Sequence, residues 1–405
     1  MSARFALAWQ SIAALLAALL VGGSVVALSG GSPVLAFSAL LRGAFGSVDG
    51  VSETLVRTCP LLLCGLAIAI SFQAGVWNIG AEGQLLMGAL TTAWAGSRLA
   101  LPGGVGIPVM LIGAAASGAL WAAIAATLKV RRNVNEVIST IMLNFIALGL
   151  IGFLVQGPLM EAGGRYPQTD AILPALRLPR FAPPLRVHGG LALAVLAVVV
   201  VQVLLYRTVA GYEMRAAGLN PTAARLAGID VARRIFWALV ASGAFAGIAG
   251  GIEVSAVTYR LYERFSPGYG FTAIAVGLLG RLRPGGVALA ALLFGALEAG
   301  SNAMQREAGV SSVLVSIIQA TVILFLVAAL RLPAAPLQAH ERLKLALDTG
   351  IVLAAASLVE WTLLLKPAIV TAHLVGGLTT MSLLWWMSFD VHPATLAIRV
   401  APGGA

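Results

Sequence analysis

The sequence predicts an all-α, polytopic transmembrane helix bundle with broken or re-entrant segments, and three observations predict it. Of the 405 residues 59% are hydrophobic and only 10% are charged, with a mean hydropathy of +0.94, whereas a soluble domain carries about 25% charged residues. Several apolar runs reach the roughly 20 residues that cross a bilayer. Gly- and Pro-rich stretches bearing polar residues interrupt those runs, and backbone of that kind survives at membrane depth only where protein or a water-filled cavity satisfies it.

Taken in order, the apolar runs predict helices near Leu7–Leu28, Leu55–Phe72, Gly80–Trp94, Ile107–Leu128, Val137–Val155, Leu191–Leu205 and Ile235–Val257. Further helices are expected near Val287–Met304, Val310–Leu330, Leu345–Leu365 and Ile369–Trp386. The first run is long enough to remain as a helix rather than serve as a cleaved signal. Lys129 to Arg132, Arg207 to Arg234, Arg281 with Arg283, and Arg331 to Lys344 form basic clusters between runs, which marks these loops as cytoplasmic. Six prolines between Gly157 and Gly190 forbid a continuous helix there and predict a structured external loop beneath a soluble partner. Two Gly-rich stretches, Gly75–Gly83 and Phe265–Gly286, are poor spans and therefore candidates for a transport pathway, with ordinary extramembrane turns as the alternative.

The net charge of +10 comes almost wholly from scattered Arg clusters, not a continuous basic face, so no nucleic-acid partner is expected. Cys59 and Cys64 sit five apart in an apolar run and read as packing residues, and the four histidines are scattered, so neither metal nor cofactor is expected. Lys129, Lys344 and Lys366 are followed by Val130, Leu345 and Pro367, which rules out a GxxxxGK[ST] phosphate loop in this sequence. The chain is expected to be no enzyme.

Polar residues inside the apolar regions are the candidate site. In FQAGVWNIGAEGQ, Glu82 would cost about 2.5 to 3.5 kcal/mol at a helix centre and so should face a cavity or partner. Asn78 and Glu82 share a face if the segment is helical. Trp77 between them reads either as a stacking platform for a planar ligand or as packing. Gln73 and Gln84 flank them. In NEVISTIMLN, Asn135 reads as a helix cap, while Asn144 lies deeper and needs a partner. Pro221 to Gly228 reads as a short helix capped by Asn220 within a segment too polar to span, and the GxxxG at Gly243 and Gly247 predicts close helix packing.

FQAGVWNIGAEGQ, NEVISTIMLN, MRAAGLNPTAARLAGI and FSPGYGFTAIAVGLLGR, in this order, resemble the permease subunits of bacterial ABC importers for nucleosides and simple sugars, in the branched-chain amino acid and ribose transporter superfamily. The resemblance covers roughly residues 55–330 and implies a permease domain over 1–335. It implies a cytoplasmic coupling helix, with Glu213, Arg215, Ala217, Gly218, Asn220, Ala224 and Gly228 contacting ATPase subunits. A path lined by Asn78, Glu82 and Gln84 is implied as well, to which the residue reading adds Trp77 and Asn144. The implied partners are two cytoplasmic ATPase subunits, a second permease copy or homologue, a periplasmic or lipid-anchored solute-binding protein, and membrane lipid of the inner membrane. Residues 336–405 depart from the pattern and read as an added transmembrane hairpin. Their LKPAIVTAHLVGGLTTMSLLWW is similar to the haem A synthase family, with His373 at the matching position, but one histidine leaves added packing as the favoured reading. An ion-coupled carrier is the other alternative, although Glu82, Glu253 and Glu298 stand on separate segments where ion-coordinating groups should cluster.

Overall fold

In a computed structural model, residues 3–319 and 321 are described, apart from 29, 165 and 182, and over 3–14 the backbone alone. They belong to one compact unit, Met1–Ala329. The predicted hairpin over 336–405, with His373, lies outside the described residues.

Apolar runs become helices because lipid leaves backbone amides no other partner. In chain order they are α1 (Ala3–Leu28), α2 (Pro33–Phe45), α3 (Val48–Gln73), α4 (Ala81–Arg98), α5 (Gly103–Arg132) and α6 (Glu136–Gln156). Then follow α7 (Gly189–Arg207), α8 (Val209–Leu219), α9 (Pro221–Leu226), α10 (Val231–Ile252), α11 (Tyr269–Leu279) and α12 (Pro284–Ala308). Six of these, α3, α5, α6, α7, α10 extended to Thr258, and α12, are long and apolar enough to cross a membrane. This is a multi-pass membrane protein, and no strand occurs among the described residues.

The ends follow the local chemistry. Asn135 accepts from the Val137 amide at 2.9 Å and starts α6, the capping role expected of it, while Glu136 pairs with Lys129 at 2.8 Å. Asp230 caps α10 by accepting from the Arg233 amide at 3.0 Å. Three elements escape the run-based reading. α2 carries too few residues for a span, α8 is polar, and α11, at 11 residues, occupies only half a bilayer thickness.

α10 is the central helix, packed on α5, α4 and α3, while α12 packs on α3 and α2 and α11 lies against α3. Small residues set these distances. A Cβ on Gly247 would fall 3.1 Å from both the Ala114 carbonyl carbon and the Gly118 Cα of α5, so the predicted GxxxG face is a backbone-to-backbone contact.

Gln73, Tyr206 and Leu282 meet at one end of the bundle, which therefore holds the basic segments around 207–234 and 281–283. α5 runs from Gly103, against Ala175 of the 157–189 segment, towards Arg132 at that same end. The opposite end carries arginines too. There Arg186 pairs with Glu53 at 2.7 Å, Arg42 with Glu307 at 2.8 Å, and Arg260 with Glu161. Basic residues are thus present at both ends, so clustering alone does not orient the chain.

The 157–189 segment is ordered by backbone bonds to the chain after α10, from the Thr169 amide to the Leu261 carbonyl at 2.8 Å and from the Leu178 amide to the Ser255 carbonyl at 2.9 Å. His188 closes it, buried, with both ring nitrogens lacking a hydrogen-bond partner. Burial, reinforced by Arg186 and Arg180, pushes its imidazole down to about 4, so the fold holds it neutral.

Candidate functional site

Between α3 and α4 the chain leaves helical geometry over residues 74–80, where Gly75 takes a left-handed φ of +76° that side chains disfavour. Asn78 therefore sits in irregular backbone, and the shared helical face with Glu82 does not form. Fully buried, Asn78 organises the break. Its Nδ2 donates to Gln84 Oε1 at 2.9 Å and to Ser242 Oγ at 2.8 Å. Its Oδ1 accepts from Gln84 Nε2 at 3.1 Å and from the Gly80 amide at 2.9 Å. Ser242 Oγ in turn donates to the Ala67 carbonyl at 2.7 Å.

Asn144 holds the other side of the same break. Its Nδ2 donates to the Ile79 carbonyl at 2.8 Å, and its Oδ1 accepts from the Gly83 amide at 2.8 Å. Thr140 accepts from the Ile79 amide at 3.3 Å. Three of the amide side chains singled out in the sequence, Asn78, Gln84 and Asn144, are thus together, buried, with their donors and acceptors engaged by the break they frame. Trp77 is the exception among them. It is partly exposed and lies against Phe72, ring centroids 4.7 Å apart.

Glu82 belongs to the first turn of α4 and meets the half-length helix α11. One carboxylate oxygen, Oε2, accepts from the Gly270 amide of α11 at 2.7 Å. A Cβ on Gly270 would lie 2.7 Å from the Ala81 carbonyl carbon, so the two helix N-termini touch. Ser266 accepts from the Gly268 and Tyr269 amides at 3.1 and 3.2 Å and completes the cap. Two positive dipole ends converge on one carboxylate in an apolar bundle, which offsets the burial of its charge. Neither Ser242 nor Ser266 was singled out in the sequence. Ser266 carried a signal in the FSPGYG turn, whereas Ser242 lay inside an ordinary apolar run.

At the opposite end of the break lies the segment with the seven implied contacts. Asn220 accepts from the Thr222 and Ala223 amides at 3.1 and 3.0 Å, Pro221 opens α9, and Gly228 takes a φ of +82° just after it. The rest face inward. Ala217 and Ala224 are buried, Glu213 pairs with Arg234, and Arg215 lies over Tyr206 with its Nε donating to the Leu205 carbonyl at 2.9 Å. Gly218 packs on the break, since a Cβ there would fall 2.7 Å from the Gly75 nitrogen and 2.8 Å from the Ala74 carbonyl carbon. The most exposed large apolar side chains of the segment are Leu219 and Leu226, at 87% and 86%, neither of them among the seven.

Glu253 and Glu298, which sequence alone kept apart, reach a common region. Glu253 opens a π-helical turn at the end of α10, and Glu298 of α12 stands 3.9 Å from Arg57 of α3, which also pairs with Glu53 at 2.9 Å. Among the described residues no group of His, Cys, Asp and Glu has the geometry to hold a metal ion.

The family of the branched-chain amino acid transport system permease component matches residues 50–327. A glucose ABC transporter permease protein of Haloferax volcanii is 40% identical over 322 residues, covering 77% of this chain and 85% of the relative. A guanosine ABC transporter permease protein of Bacillus subtilis is 38% identical over 315 residues, covering 77% and 90%. A nucleoside ABC transporter permease protein of Lactococcus lactis subsp. cremoris is 30% identical over 317 residues, covering 76% and 87%. No solved structure matches the chain. The match over most of the helical bundle, including α4, α11 and the α8–α9 segment, makes this chain a member of the branched-chain amino acid transport system permease family, the membrane-spanning subunits of ABC transporters.

Proposed function

We propose that the chain forms the translocation path of an ATP-driven importer in a bacterial inner membrane, and that its solute is a nucleoside or a simple sugar. The observation that carries the solute class is the set of relatives, whose names specify guanosine, nucleosides and glucose. In this reading the path runs by the junction of α4 and α11. Glu82 stands at that junction, Trp77 lies partly exposed against Phe72 at the α3 end of the break, and Asn78, Gln84 and Asn144 hold the shape of the break. Paired half-helix ends of this kind frame midplane solute sites in other transporters.

The 207–234 segment faces the cytoplasm and couples the bundle to ATPase subunits. Leu219 and Leu226 are the apolar knobs that enter a partner's cleft, with Asn220 and Gly228 shaping α9. Glu213, Arg215, Ala217, Gly218 and Ala224 act one step back by fixing α8 and α9 on the body. The Gly218–Gly75 contact then links α8, and through it α9, to the break, so a push on one moves the other. A second permease subunit and a periplasmic or lipid-anchored binding protein complete the assembly, and the chain itself performs no chemistry.

A single cysteine at Thr222, exposed on α9, tests the arrangement. A membrane-impermeant thiol reagent should label it in inverted vesicles and not in intact spheroplasts, and addition of the ATPase subunits should block the labelling. Labelling from outside intact cells would overturn both the orientation and the coupling role.

A further inference from the structure

α3, the π-helical end of α10, α11 and α12 bring together a second polar group that the α4–α11 junction does not use. Arg57 is engaged by Glu53 at 2.9 Å, and Glu53 is held from the far side by Arg186 at 2.7 Å. Beyond that chain of pairs, hydrogen-bonding capacity is left over. Glu298 reaches Arg57 only to 3.9 Å, and its Oε2 is buried without a hydrogen bond. The Glu253 carboxylate, on a residue 7% exposed, makes no hydrogen bond or ion pair among the described residues. Tyr269 is 4% exposed and its hydroxyl makes no hydrogen bond either, although the charges of Glu253, Glu298, Arg57 and Glu53 all act on it. Gln319 lies against the Glu298 carboxylate, its buried amide nitrogen facing that group but outside strict hydrogen-bond geometry.

A single buried group left unpaired costs about 1 to 3 kcal/mol, and native proteins keep few of them. Here Glu298 Oε2 and Gln319 Nε2 are two such atoms, and the Glu253 carboxylate and Tyr269 hydroxyl add unused hydrogen-bonding capacity beside Arg57 and Glu53 side chains that stay 30% and 23% exposed. One of the four opens a π-turn, a distortion frequent at functional sites. The group holds three carboxylates against two guanidiniums, so it is rich in acceptors and unsuited to an anion. What fits is a neutral ligand offering adjacent hydroxyls. A carboxylate accepts two O–H groups at once, while a phenol and an amide donate back to hydroxyl or ring oxygens. A phosphate group would meet like charge.

We propose that Glu253, Glu298 and Tyr269 form a subsite for the vicinal hydroxyls of a neutral sugar ring, free or within a nucleoside, and that the subsite rejects phosphorylated forms. The proposal rests on the reading of the chain as a nucleoside or sugar permease.

The test uses the complete importer in proteoliposomes, with guanosine, 2′-deoxyguanosine, glucose and ribose 5-phosphate as probes. Wild type should carry guanosine faster than 2′-deoxyguanosine. Glu253→Gln and Tyr269→Phe keep size and shape; the first should lower guanosine uptake about tenfold, as the loss of a hydrogen bond to a charged group predicts, and the second about fivefold, as the loss of a neutral one predicts, each shrinking the guanosine to 2′-deoxyguanosine ratio towards one. Comparing ratios between variant and wild type cancels whatever the binding protein contributes. Where glucose alone is carried, the same variants should slow glucose by the same factors relative to 2-deoxyglucose. Wild type should not carry ribose 5-phosphate. An importer that carries guanosine or glucose with unchanged ratios in both variants overturns the subsite alone. One that carries none of the neutral probes overturns the functional reading, and the subsite with it.

Discussion

Gly218→Ala and Leu226→Ala separate the internal role of the α8–α9 segment from its proposed external one. At position 218 a methyl group would sit 2.7 Å from the Gly75 nitrogen and 2.8 Å from the Ala74 carbonyl carbon, and closer still to the Gln73 carbonyl oxygen. Contact between unbonded heavy atoms is most favourable at about 3.5 to 4.0 Å, so α8 and the break must part by roughly an ångström. The obstructing atoms are all backbone, and none can swing aside as a side-chain tip does. Overpacking of this kind costs about 1 to 3 kcal/mol. Leu226, 86% exposed, lends the fold little, and its truncation should change stability by less than about 0.5 kcal/mol. Thermal unfolding of the purified chain in detergent, together with uptake and ATPase assays of the assembled importer, reads both. Gly218→Ala should lower the unfolding temperature and uptake together. Leu226→Ala should leave the unfolding temperature unchanged while the ATPase loses its stimulation by loaded binding protein. A Gly218→Ala chain as stable and active as wild type would refute the close contact, and a fully coupled Leu226→Ala would refute the docking knob.

Asn78→Ala should destabilise the bundle by about 1 to 3 kcal/mol for each group it strands, since Gln84 and Ser242 lose a buried partner; an unchanged unfolding temperature would mean the frame is not needed. Glu82→Gln keeps an acceptor for the Gly270 amide but removes the charge between two helix ends, so uptake should fall while insertion and assembly persist. Full uptake by that variant would show that the charge is unused. His188 is held neutral, with a folded pKa lowered to about 4 from the ordinary 6.5. Its contribution is therefore complete above about pH 6.5 and is lost as pH falls towards 4, at about 1.4 kcal/mol per pH unit. Exchange protection across 174–190, corrected for the intrinsic amide rate, should fall as pH drops over that window in wild type and stay flat in His188→Gln. Equal pH dependence in the two would exclude the imidazole as the cause.

Among the described residues the long apolar spans were legible in the sequence because lipid allows so few backbone solutions, and their observed bounds differ from the expected ones by up to seven residues. Asn135 and Asn220 were legible as caps because capping is local chemistry. α11 was not, because eleven apolar residues between turns look the same in a half-helix and in a loop. The shared face of Asn78 and Glu82 failed for a related reason. It required continuous helix through Gly75 and Gly80, and the left-handed turn at Gly75 removes it. Contacts between distant segments were the least legible. Nothing local to Glu253, Glu298 or Arg57 says that α3, α10 and α12 pack side by side, and Gly218 reads as a surface glycine until Gly75 is laid against it.

The central claim, that this chain is the path of an ATP-driven importer, is tested most directly by accumulation of radiolabelled guanosine or glucose in proteoliposomes. The vesicles would hold this chain with its partner permease, ATPase subunits and binding protein. Accumulation against the solute gradient should require ATP on the ATPase side and persist when ionophores abolish every ion gradient, and the chain purified alone should hydrolyse no ATP. Accumulation driven by an ion gradient without ATP would contradict the account.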